Sequence, residues 1–371
     1  MSILFQGLNL GKLQLENRIV IAPMCEYSAV DGNAQDWHMI HLGSLALSGA
    51  GLMILEATAV SPEGRISPQD LGLFSDDNAH ALKRVLGAIR MHSNMPFAIQ
   101  LSHAGRKGSS FAPWEGGAQI APGAPNGWKT EAPSAVPHAE GEDAPEALDG
   151  EGLSRIRKDF ALAAKRAERL GLDGIEIHMA HGYLLHQFLS PLSNQRTDEY
   201  GGSLENRLRF PIEVFEAVKA EVSADLPVWV RISATDWVPG GWDIEGTLAL
   251  SKALKERGCA AIHVTSGGVS PRQEIKLEPG YQVPFAERVK TEVGLPTIAV
   301  GLIVEAEQAE EILQKGQADA IALARGMLYD PRWPWHAAAE LGEQVNAPKQ
   351  YWRCQPHEFK SLFKGMNIGQ R

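Results

Sequence analysis

The chain has 371 residues, of which 44% are hydrophobic, so it is long enough to bury a large core in one big barrel or in two ordinary domains. Its formal net charge is −10 and its Lys and Arg residues are scattered, which argues against a nucleic-acid-binding surface and against an anchor to an anionic membrane. The composition therefore indicates a protein whose partner is a small molecule.

Runs of β-branched residues alternate with amphipathic segments along nearly the whole chain, which is typical of repeated strand–helix units. Strands are predicted, in chain order, at residues 19–22, 52–57, 97–101, 174–178, 228–233, 261–265, 297–300 and 320–323. Helices are predicted between them at residues 78–92, 153–170, 206–222, 244–257, 284–293 and 305–315. Eight such units favour a closed (β/α)8 TIM barrel over an open sheet, and we expect residues 1–371 to form one domain.

Two regions do not fit this repeat. Residues 111–150 are rich in Pro, Gly, Ala and acidic residues without a sustained period, and we expect them to form a long excursion after the third strand that covers the barrel mouth. Residues 348–371 form a C-terminal tail with more aromatic side chains than a frayed terminus needs. We expect the tail to pack against another surface, with a neighbouring subunit as the candidate.

The sequence shows no sign of targeting or of a metal cluster. No apolar run approaches the roughly 20 residues that span a bilayer, and residues 1–15 lack the order of a signal peptide, so we expect a cytoplasmic protein without a membrane partner. Cys25, Cys259 and Cys354 are far apart and form no Cys-x-x-Cys pair. Any cysteine therefore has to act as a single thiol.

Segment 176–183 is the most informative part of the chain. His178 falls at the end of the fourth predicted strand, and His181 and Tyr183 fall in the loop beyond it, where barrels build their active sites. Two neutral imidazoles can bind one ligand oxygen, and a phenol beside them can donate a proton; we rank this interpretation first. A metal site ranks second, because imidazoles at this spacing can share an ion, and a structural role in the core ranks third.

The first predicted strand runs into Pro23, Met24 and Cys25, where a proline turn presents a thiol towards the mouth, followed by the phenol of Tyr27. An isolated cysteine is most often a small buried hydrophobe. Its position at the end of a strand favours a functional thiol instead.

Two polar side chains lie in predicted strands, Gln100 at the end of the third and Arg231 inside the fifth. A buried arginine is costly without an anionic or acceptor partner, so Arg231 indicates an electron-rich group in the barrel mouth. A structural salt bridge with Glu176 or Asp236 is the alternative.

Gly301 follows the seventh predicted strand, and Ala324 and Arg325 follow the eighth, at loops that hold phosphate groups in many barrels. Gly301 would let the backbone approach an anion and Arg325 would supply charge, with residues 266–268 as a further part of the cradle. A glycine after a strand is weak evidence by itself, because tight turns use it often.

Several motifs together resemble the old yellow enzyme family of FMN-dependent ene-reductases, and more closely its thermophilic-like subgroup, which includes xenobiotic reductases. The motifs are residues 17–25 (NRIVIAPMC), 56–60 (EATAV), 103–107 (HAGRK), 178–184 (HMAHGYL) and 190–203 (SPLSNQRTDEYGGS). The resemblance covers nearly the whole chain. It implies a TIM barrel with tightly bound, non-covalent FMN, NADPH or NADH as reductant, and α,β-unsaturated carbonyl compounds as oxidants.

By matching position, the resemblance implies a role for each candidate residue. His178 and His181 would hold the carbonyl oxygen of the substrate, Tyr183 would protonate its α-carbon, and Tyr27 would add a contact. Cys25 would tune the flavin and touch the substrate. The residues implied around the flavin are Pro23, Met24, Cys25, Ala57, Gln100 and Arg231 at the ring, and Gly301, Ala324 and Arg325 at the phosphate. The resemblance also implies ping-pong kinetics and a homodimer or homotetramer.

One residue and two segments bear comparison with the family pattern. Ala324 stands where close relatives have glycine, and the excursion resembles the long form found in xenobiotic reductases. Members of the subgroup end near an aromatic residue and an arginine that enter a neighbour's site, so Trp352 or Arg353 is expected to take that part. The chain then continues to Arg371.

Three other functions are compatible with a barrel of this kind. A dienoyl-CoA reductase shares the barrel but needs additional domains and a cysteine-ligated cluster, which the cysteine count argues against. A metal-dependent barrel hydrolase would use His178 and His181 as metal ligands. A flavin-binding protein without catalytic activity would hold the cofactor but not turn over.

Overall fold

The computed structural model describes residues 2–367, and Met1 and residues 368–371 lie outside the described part. The strands are β1 (Leu8–Leu10), β2 (Leu13–Leu15), β3 (Ile19–Ile21), β4 (Leu52–Ala59), β5 (Phe97–Ser102), β6 (Glu131–Ala132), β7 (Glu146–Ala147), β8 (Gly174–Met179), β9 (Val228–Ser233), β10 (Ile262–Thr265), β11 (Thr297–Ala299) and β12 (Ala320–Leu323). Within the described part, β3, β4, β5, β8, β9, β10, β11 and β12 close in this order into a parallel barrel. The predicted (β/α)8 barrel is confirmed, and the largest difference from the predicted strands is at β4, which runs to Ala59 rather than to residue 57.

Helices surround the barrel. They are α1 (Asp36–Ala46), α2 (Asp76–Arg90), α3 (Gly150–Arg169), α4 (Leu184–Leu189), α5 (Leu204–Glu221), α6 (Ile244–Glu256), α7 (Val283–Val293), α8 (Ala306–Gln314), α9 (Arg325–Tyr329) and α10 (Trp333–Glu340). Every residue of the barrel strands is buried, as expected for parallel strands covered on both faces. None of the helices in residues 2–367 is both long and apolar enough to cross a membrane.

Side-chain caps fix the starts of four helices that carry the repeat. Ser75, Asp149, Ser203 and Asp243 each accept a hydrogen bond from a backbone N–H in the first turn of the helix that follows. The helices α1, α4, α9 and α10 were not predicted. Helices α4 and α9 are too short to show a helical period, and α1 carries apolar residues around much of its circumference.

The β1–β2 hairpin, which was also not predicted, lies at the amino-terminal end of the barrel. Its turn residue Gly11 has a φ of 60°, and a Cβ there would lie 3.2 Å from the side chain of Pro227, just before β9. Ala260, just before β10, is also in contact. The opposite, carboxyl end of the barrel is where the candidate site residues meet.

The excursion over residues 111–150 is anchored to the carboxyl end of the barrel. The guanidinium of Arg106 donates to the carbonyl oxygens of Val136 and Pro137, each at 3.2 Å. The ring of Trp114 packs edge-on against Tyr27, with centroids 5.5 Å apart. The excursion therefore contacts residues at the barrel mouth.

The tail packs on its own chain as far as residue 367. Val345, Leu362 and Phe363 form a second apolar cluster with Trp335 of α10, and the rings of Trp335 and Phe363 are 5.0 Å apart. Phe363 of the tail is thus buried against its own chain. The final part of the predicted tail, residues 368–371, lies outside the described residues.

Candidate active site

Strand register brings the predicted residues into two layers near the carboxyl end of the barrel. Ala57 lies beside Gln100 on the neighbouring strand, and Gln100 lies beside Glu176 on the next. One step nearer the mouth, His178 lies beside Arg231. Residues from β4, β5, β8 and β9 therefore meet although long segments of chain separate them.

The two histidines are neighbours in a single hydrogen-bonded chain. His178 Nε2 lies 3.3 Å from His181 Nδ1, and their rings are perpendicular with centroids 5.1 Å apart. The N–H of Ala180 donates to His178 Nδ1 at 3.2 Å, which places the proton of that imidazole on Nε2. His178 Nε2–H therefore points at His181 Nδ1.

The chain continues from His181 into the barrel wall. His181 Nε2 lies 3.1 Å from the hydroxyl of Thr265, which donates to Gln282 Oε1 at 3.2 Å. Gln282 in turn donates to the carbonyl oxygen of Val300 at 2.9 Å. Thr265 and Gln282 were not identified from the sequence; the one available signal was the position of Thr265 at the end of a predicted strand.

Both imidazoles are neutral. Burial lowers the pKa of His178 and of His181 well below the usual range, and the positive charge of Arg231 lowers both further. Neutral imidazoles can donate an N–H to a ligand oxygen or bind a metal. Across residues 2–367, no group of three or more His, Cys, Asp or Glu side chains has the arrangement of a metal site.

Tyr183 lies next to His178, with the two rings perpendicular and their centroids 5.0 Å apart. Burial raises the pKa of the Tyr183 phenol well above its usual value, so the hydroxyl is protonated at neutral pH. The ammonium of Lys107 lies 5.1 Å from the centre of the Tyr183 ring. A protonated phenol therefore stands beside the two imidazole donors.

The loop that carries His181 and Tyr183 has a constrained backbone. His181 has a φ of 57° and Gly182 a φ of 74°, and a Cβ on Gly182 would overlap the carbonyl oxygen of Gly268. Lys107 joins these two loops, because its ammonium donates to the carbonyl oxygens of His181 at 2.9 Å and Gly268 at 3.1 Å. Three barrel loops are thereby held together at the mouth.

A second set of buried side chains holds the same loop from α4. The N–H of Gly182 donates to His186 Nδ1 at 2.9 Å, and His186 Nε2 lies 2.9 Å from Asp236 Oδ1. The amide of Gln187 donates to the carbonyl oxygen of Gly182 at 2.7 Å. His186 and Gln187 were not identified from the sequence, because α4 was not predicted.

Cys25 and Tyr27 lie on the opposite side of the mouth. Burial raises the pKa of the Cys25 thiol well above its usual value, with Asp70 and Glu56 adding to the shift, so the thiol is protonated. Burial and the hydrogen bond with Cys25 likewise raise the pKa of the Tyr27 phenol. Tyr27 has a φ of 46°, a conformation that turns the chain sharply after the thiol.

Arg231 is buried, with 6% of its surface exposed, and its Nε has no hydrogen-bond partner. The alternative salt bridges are not formed within residues 2–367: Glu176 binds His263 at 2.8 Å, and Asp236 binds His186. A buried guanidinium nitrogen without a partner is costly, so Arg231 favours an electron-rich ligand in the mouth.

The candidate phosphate loops lie at the ends of β11 and β12. Gly301 has a φ of 122°, and a Cβ there would contact the side chain of Gln282 at 2.5 Å, so the position needs glycine. Ala324 precedes α9, and the side chain of Arg325 at its start is exposed. Pro23 and Met24 follow β3 directly and are partly exposed. The structure thus places all candidate cofactor residues at the carboxyl end of the barrel.

Comparison with known proteins shows the family of the chain. The model of the NADH:flavin oxidoreductase / NADH oxidase family matches residues 3–344. An NADPH dehydrogenase of Geobacillus thermodenitrificans is 45% identical over 354 residues, which cover 95% of this chain and 98% of the relative. An NADH:flavin oxidoreductase of Gibberella zeae is 42% identical over 363 residues, covering 93% and 87%. The solved structure of morphinone reductase has a TM-score of 0.75 at 30% identity, covering 99% of this chain and 94% of that chain.

The match extends through the whole barrel and through both relatives almost end to end. It implies FMN as the cofactor and NAD(P)H as the reductant, which agrees with the need of Arg231 for an electron-rich partner. The chain therefore belongs to the NADH:flavin oxidoreductase / NADH oxidase family, the family of the old yellow enzyme, and is a flavin-dependent NAD(P)H oxidoreductase.

Proposed function

We propose that this oxidoreductase reduces the activated C=C bond of α,β-unsaturated carbonyl compounds by a ping-pong mechanism, with both half-reactions in one barrel mouth. The observation that carries the proposal is the adjacency of two neutral imidazoles, His178 and His181, and the protonated phenol of Tyr183. Such a site offers N–H donors for a carbonyl oxygen and a proton for the neighbouring carbon. A proton donor beside an oxygen-binding pair suits a substrate that becomes an enolate.

The residues around the mouth suit FMN. Arg231 would lie at the pyrimidine edge of the flavin, where its unpaired guanidinium stabilises negative charge, and Gln100 would contact the same edge. When bound, FMN accepts a hydride from NAD(P)H and passes a hydride to the β-carbon of the substrate. Pro23, Met24, Cys25 and Ala57 would surround the ring, and Gly301, Ala324 and Arg325 would hold the phosphate.

The carbonyl oxygen of the substrate would accept hydrogen bonds from His178 and His181. His178 already carries its proton on Nε2. His181 can present an N–H from Nδ1 when its proton moves there from Nε2. The hydroxyl of Thr265, 3.1 Å from Nε2, can then donate a hydrogen bond to Nε2, from which it previously accepted one. Thr265 thus lets His181 change tautomer without leaving a buried nitrogen unpaired.

Proton transfer completes the oxidative half-reaction. The two imidazoles stabilise the negative charge that develops on the oxygen, and Tyr183 gives its proton to the α-carbon. The raised pKa of Tyr183 keeps that proton available throughout the neutral pH range. Tyr27, on the far side of the mouth, would contact the substrate oxygen, and Cys25 would touch both ring and substrate.

Anaerobic titration of the purified protein tests this function. One equivalent of NADPH is expected to bleach the flavin absorbance, and one equivalent of 2-cyclohexenone is expected to restore it. Flavin that stays bleached after the enone is added would contradict reduction of the C=C bond. Flavin that neither NADPH nor NADH bleaches would instead indicate a flavin-binding protein without catalytic activity.

We also propose that the protein is a homodimer or homotetramer in which Arg353 enters the site of a neighbouring subunit. Trp352 is engaged in its own chain, because its indole N–H donates to the carbonyl oxygen of Ala347 at 3.1 Å. Arg353 is exposed. Arg353→Ala is expected to raise the KM for the enone severalfold at unchanged oligomeric state, measured by steady-state kinetics and light scattering; a monomeric wild-type protein would contradict the proposal.

A further inference from the structure

A buried carboxylate lies beneath the candidate cofactor site and has no role in the proposed reaction. Glu176 is fully buried and accepts three side-chain hydrogen bonds inside the barrel. Gln100 Nε2 donates to Oε1 at 2.6 Å, and the Trp229 indole and His263 Nδ1 donate to Oε2, each at 2.8 Å. The donors come from β5, β9 and β10, so Glu176 joins three strands of the barrel.

Glu176 is ionised in this cluster. Burial alone would raise its pKa, but the interaction with His263 and the charge of Arg231 outweigh burial, and the pKa lies below its usual value. Burial and Arg231 lower the pKa of His263, so this imidazole is neutral and donates from Nδ1. Glu176 is therefore an anion beneath the site, and Arg231, one layer nearer the mouth, is a cation that interacts with it.

The ionised carboxylate determines the orientation of the Gln100 amide. A carboxylate only accepts hydrogen bonds, so the atom of Gln100 at 2.6 Å has to be the NH2 group. The amide oxygen is then turned away from Glu176. Within the described chain no donor reaches this oxygen, and it is not sealed in the core, so it is free to accept from a ligand.

We propose that Glu176 is a positioning residue for the flavin. It holds Gln100 so that the amide oxygen is turned towards the cofactor, where it can accept from the single N–H donor of the flavin pyrimidine edge. Its fixed negative charge also offsets Arg231 and so makes the reduced, negatively charged flavin less stable. The inference rests on FMN binding in the mouth and is independent of the enone substrate.

The midpoint potential of the bound flavin in Glu176→Gln holoenzyme tests the charge. The potential is expected to become more positive by about 30 mV or more, which corresponds to an at least tenfold larger equilibrium constant for two-electron reduction. An equilibrium constant for two-electron reduction within threefold of wild type would overturn the charge effect. Trp229→Phe is the matched control, because it removes one hydrogen bond to Glu176 and keeps both the charge and the Gln100 contact. An equal shift in this control would also overturn it.

Glu176→Asp tests the positioning separately, and also serves if Glu176→Gln does not fold. The shorter side chain keeps the charge but withdraws from Gln100, whose amide is then free to turn. The dissociation constant of FMN is expected to rise at least tenfold in this variant, measured by fluorescence of the released flavin. The equilibrium constant for two-electron reduction is expected to stay within threefold of wild type. Unchanged FMN affinity would overturn the positioning role. Enone turnover enters neither measurement, so failure of the proposed substrate class would be seen separately.

Discussion

The phenol of Tyr183 owes its proposed role to its surroundings rather than to its residue type. Burial keeps the pKa of the phenol well above its usual value, and the ring lies directly against His178. The same burial lowers the pKa of the imidazoles. One environment thus produces a protonated acid and two neutral donors side by side.

Tyr183→Phe is expected to slow reoxidation of the reduced flavin by an enone by about 10²-fold or more, because a positioned acid is worth that much in rate. Reduction of the flavin by NADPH is expected to change by less than about threefold, since that step needs no proton from the phenol. Stopped-flow measurement of each half-reaction separates the two. Equal slowing of both steps would contradict the acid role of Tyr183.

His178→Ala is expected to weaken binding of phenols by about tenfold or more, because a buried N–H donor to an anionic oxygen is lost. The measurement is the long-wavelength charge-transfer band that a phenolate gives when it stacks on a flavin. Thr265→Val is a related test, since it leaves His178 in place and removes only the partner of His181 Nε2. A band unchanged by His178→Ala would refute oxygen binding by this pair.

At the scale of elements, the loop between β8 and α4 depends on its contacts with other loops. Lys107, from the loop after β5, bonds carbonyl oxygens of two further loops. His186 and Gln187, on α4, hold both backbone groups of Gly182. The helix that follows this loop therefore also fixes the conformation of the loop.

Gly182→Ala is expected to destabilise the protein by about 2 kcal/mol or more and to slow enone reduction, because the left-handed backbone and the overlap with Gly268 both oppose a Cβ. Gly316→Ala is the matched control: Gly316 has a similar φ of 71° but nothing within 4 Å of the added atom. Chemical denaturation and half-reaction rates provide the readouts. Equal effects of the two substitutions would show that loop contact with Gly268 is unimportant.

Element prediction succeeded where a local pattern existed. The strands β9 and β12 were predicted with their observed bounds, because fully buried parallel strands read as short β-branched runs between turns. The hairpin β1–β2 and the helices α4 and α9 were missed. Each is too short to show a period, and each is held by contacts with distant segments rather than by its own sequence.

At the scale of the whole molecule, buried histidines link stability to pH. Burial, with the charge of Arg155, lowers the pKa of His103 to about 3, and burial lowers those of His178 and His181 as well. A histidine with a lower pKa in the folded state binds fewer protons there than in the unfolded chain. Its stabilising contribution is complete above the unfolded value of about 6.5 and is lost as the pH falls from there towards the folded value.

The protein is therefore expected to lose about 2 kcal/mol of stability through His103 between pH 6.5 and pH 5, and His178 and His181 change stability in the same direction. The melting temperature measured over this range gives the pH dependence. His103→Asn keeps an acceptor for the N–H of Gly105, which His103 Nδ1 now accepts at 3.1 Å, and removes the titrating group. A shallower pH dependence is expected in this variant, and an unchanged one would contradict the role of His103.

The sequence by itself determined the barrel and the residue types at its mouth, because parallel strands and strand-end motifs are local patterns of burial and turn chemistry. It correctly placed His178 at the end of a strand and His181 and Tyr183 in the loop beyond that strand. Only the tertiary structure decided which nitrogen of each imidazole carries the proton and which way the Gln100 amide faces. The position of the imidazole proton depends on Thr265, and the orientation of the amide depends on Glu176. Both residues reach their partners only when the barrel closes, because these contacts join residues that lie far apart in the sequence and leave no local pattern.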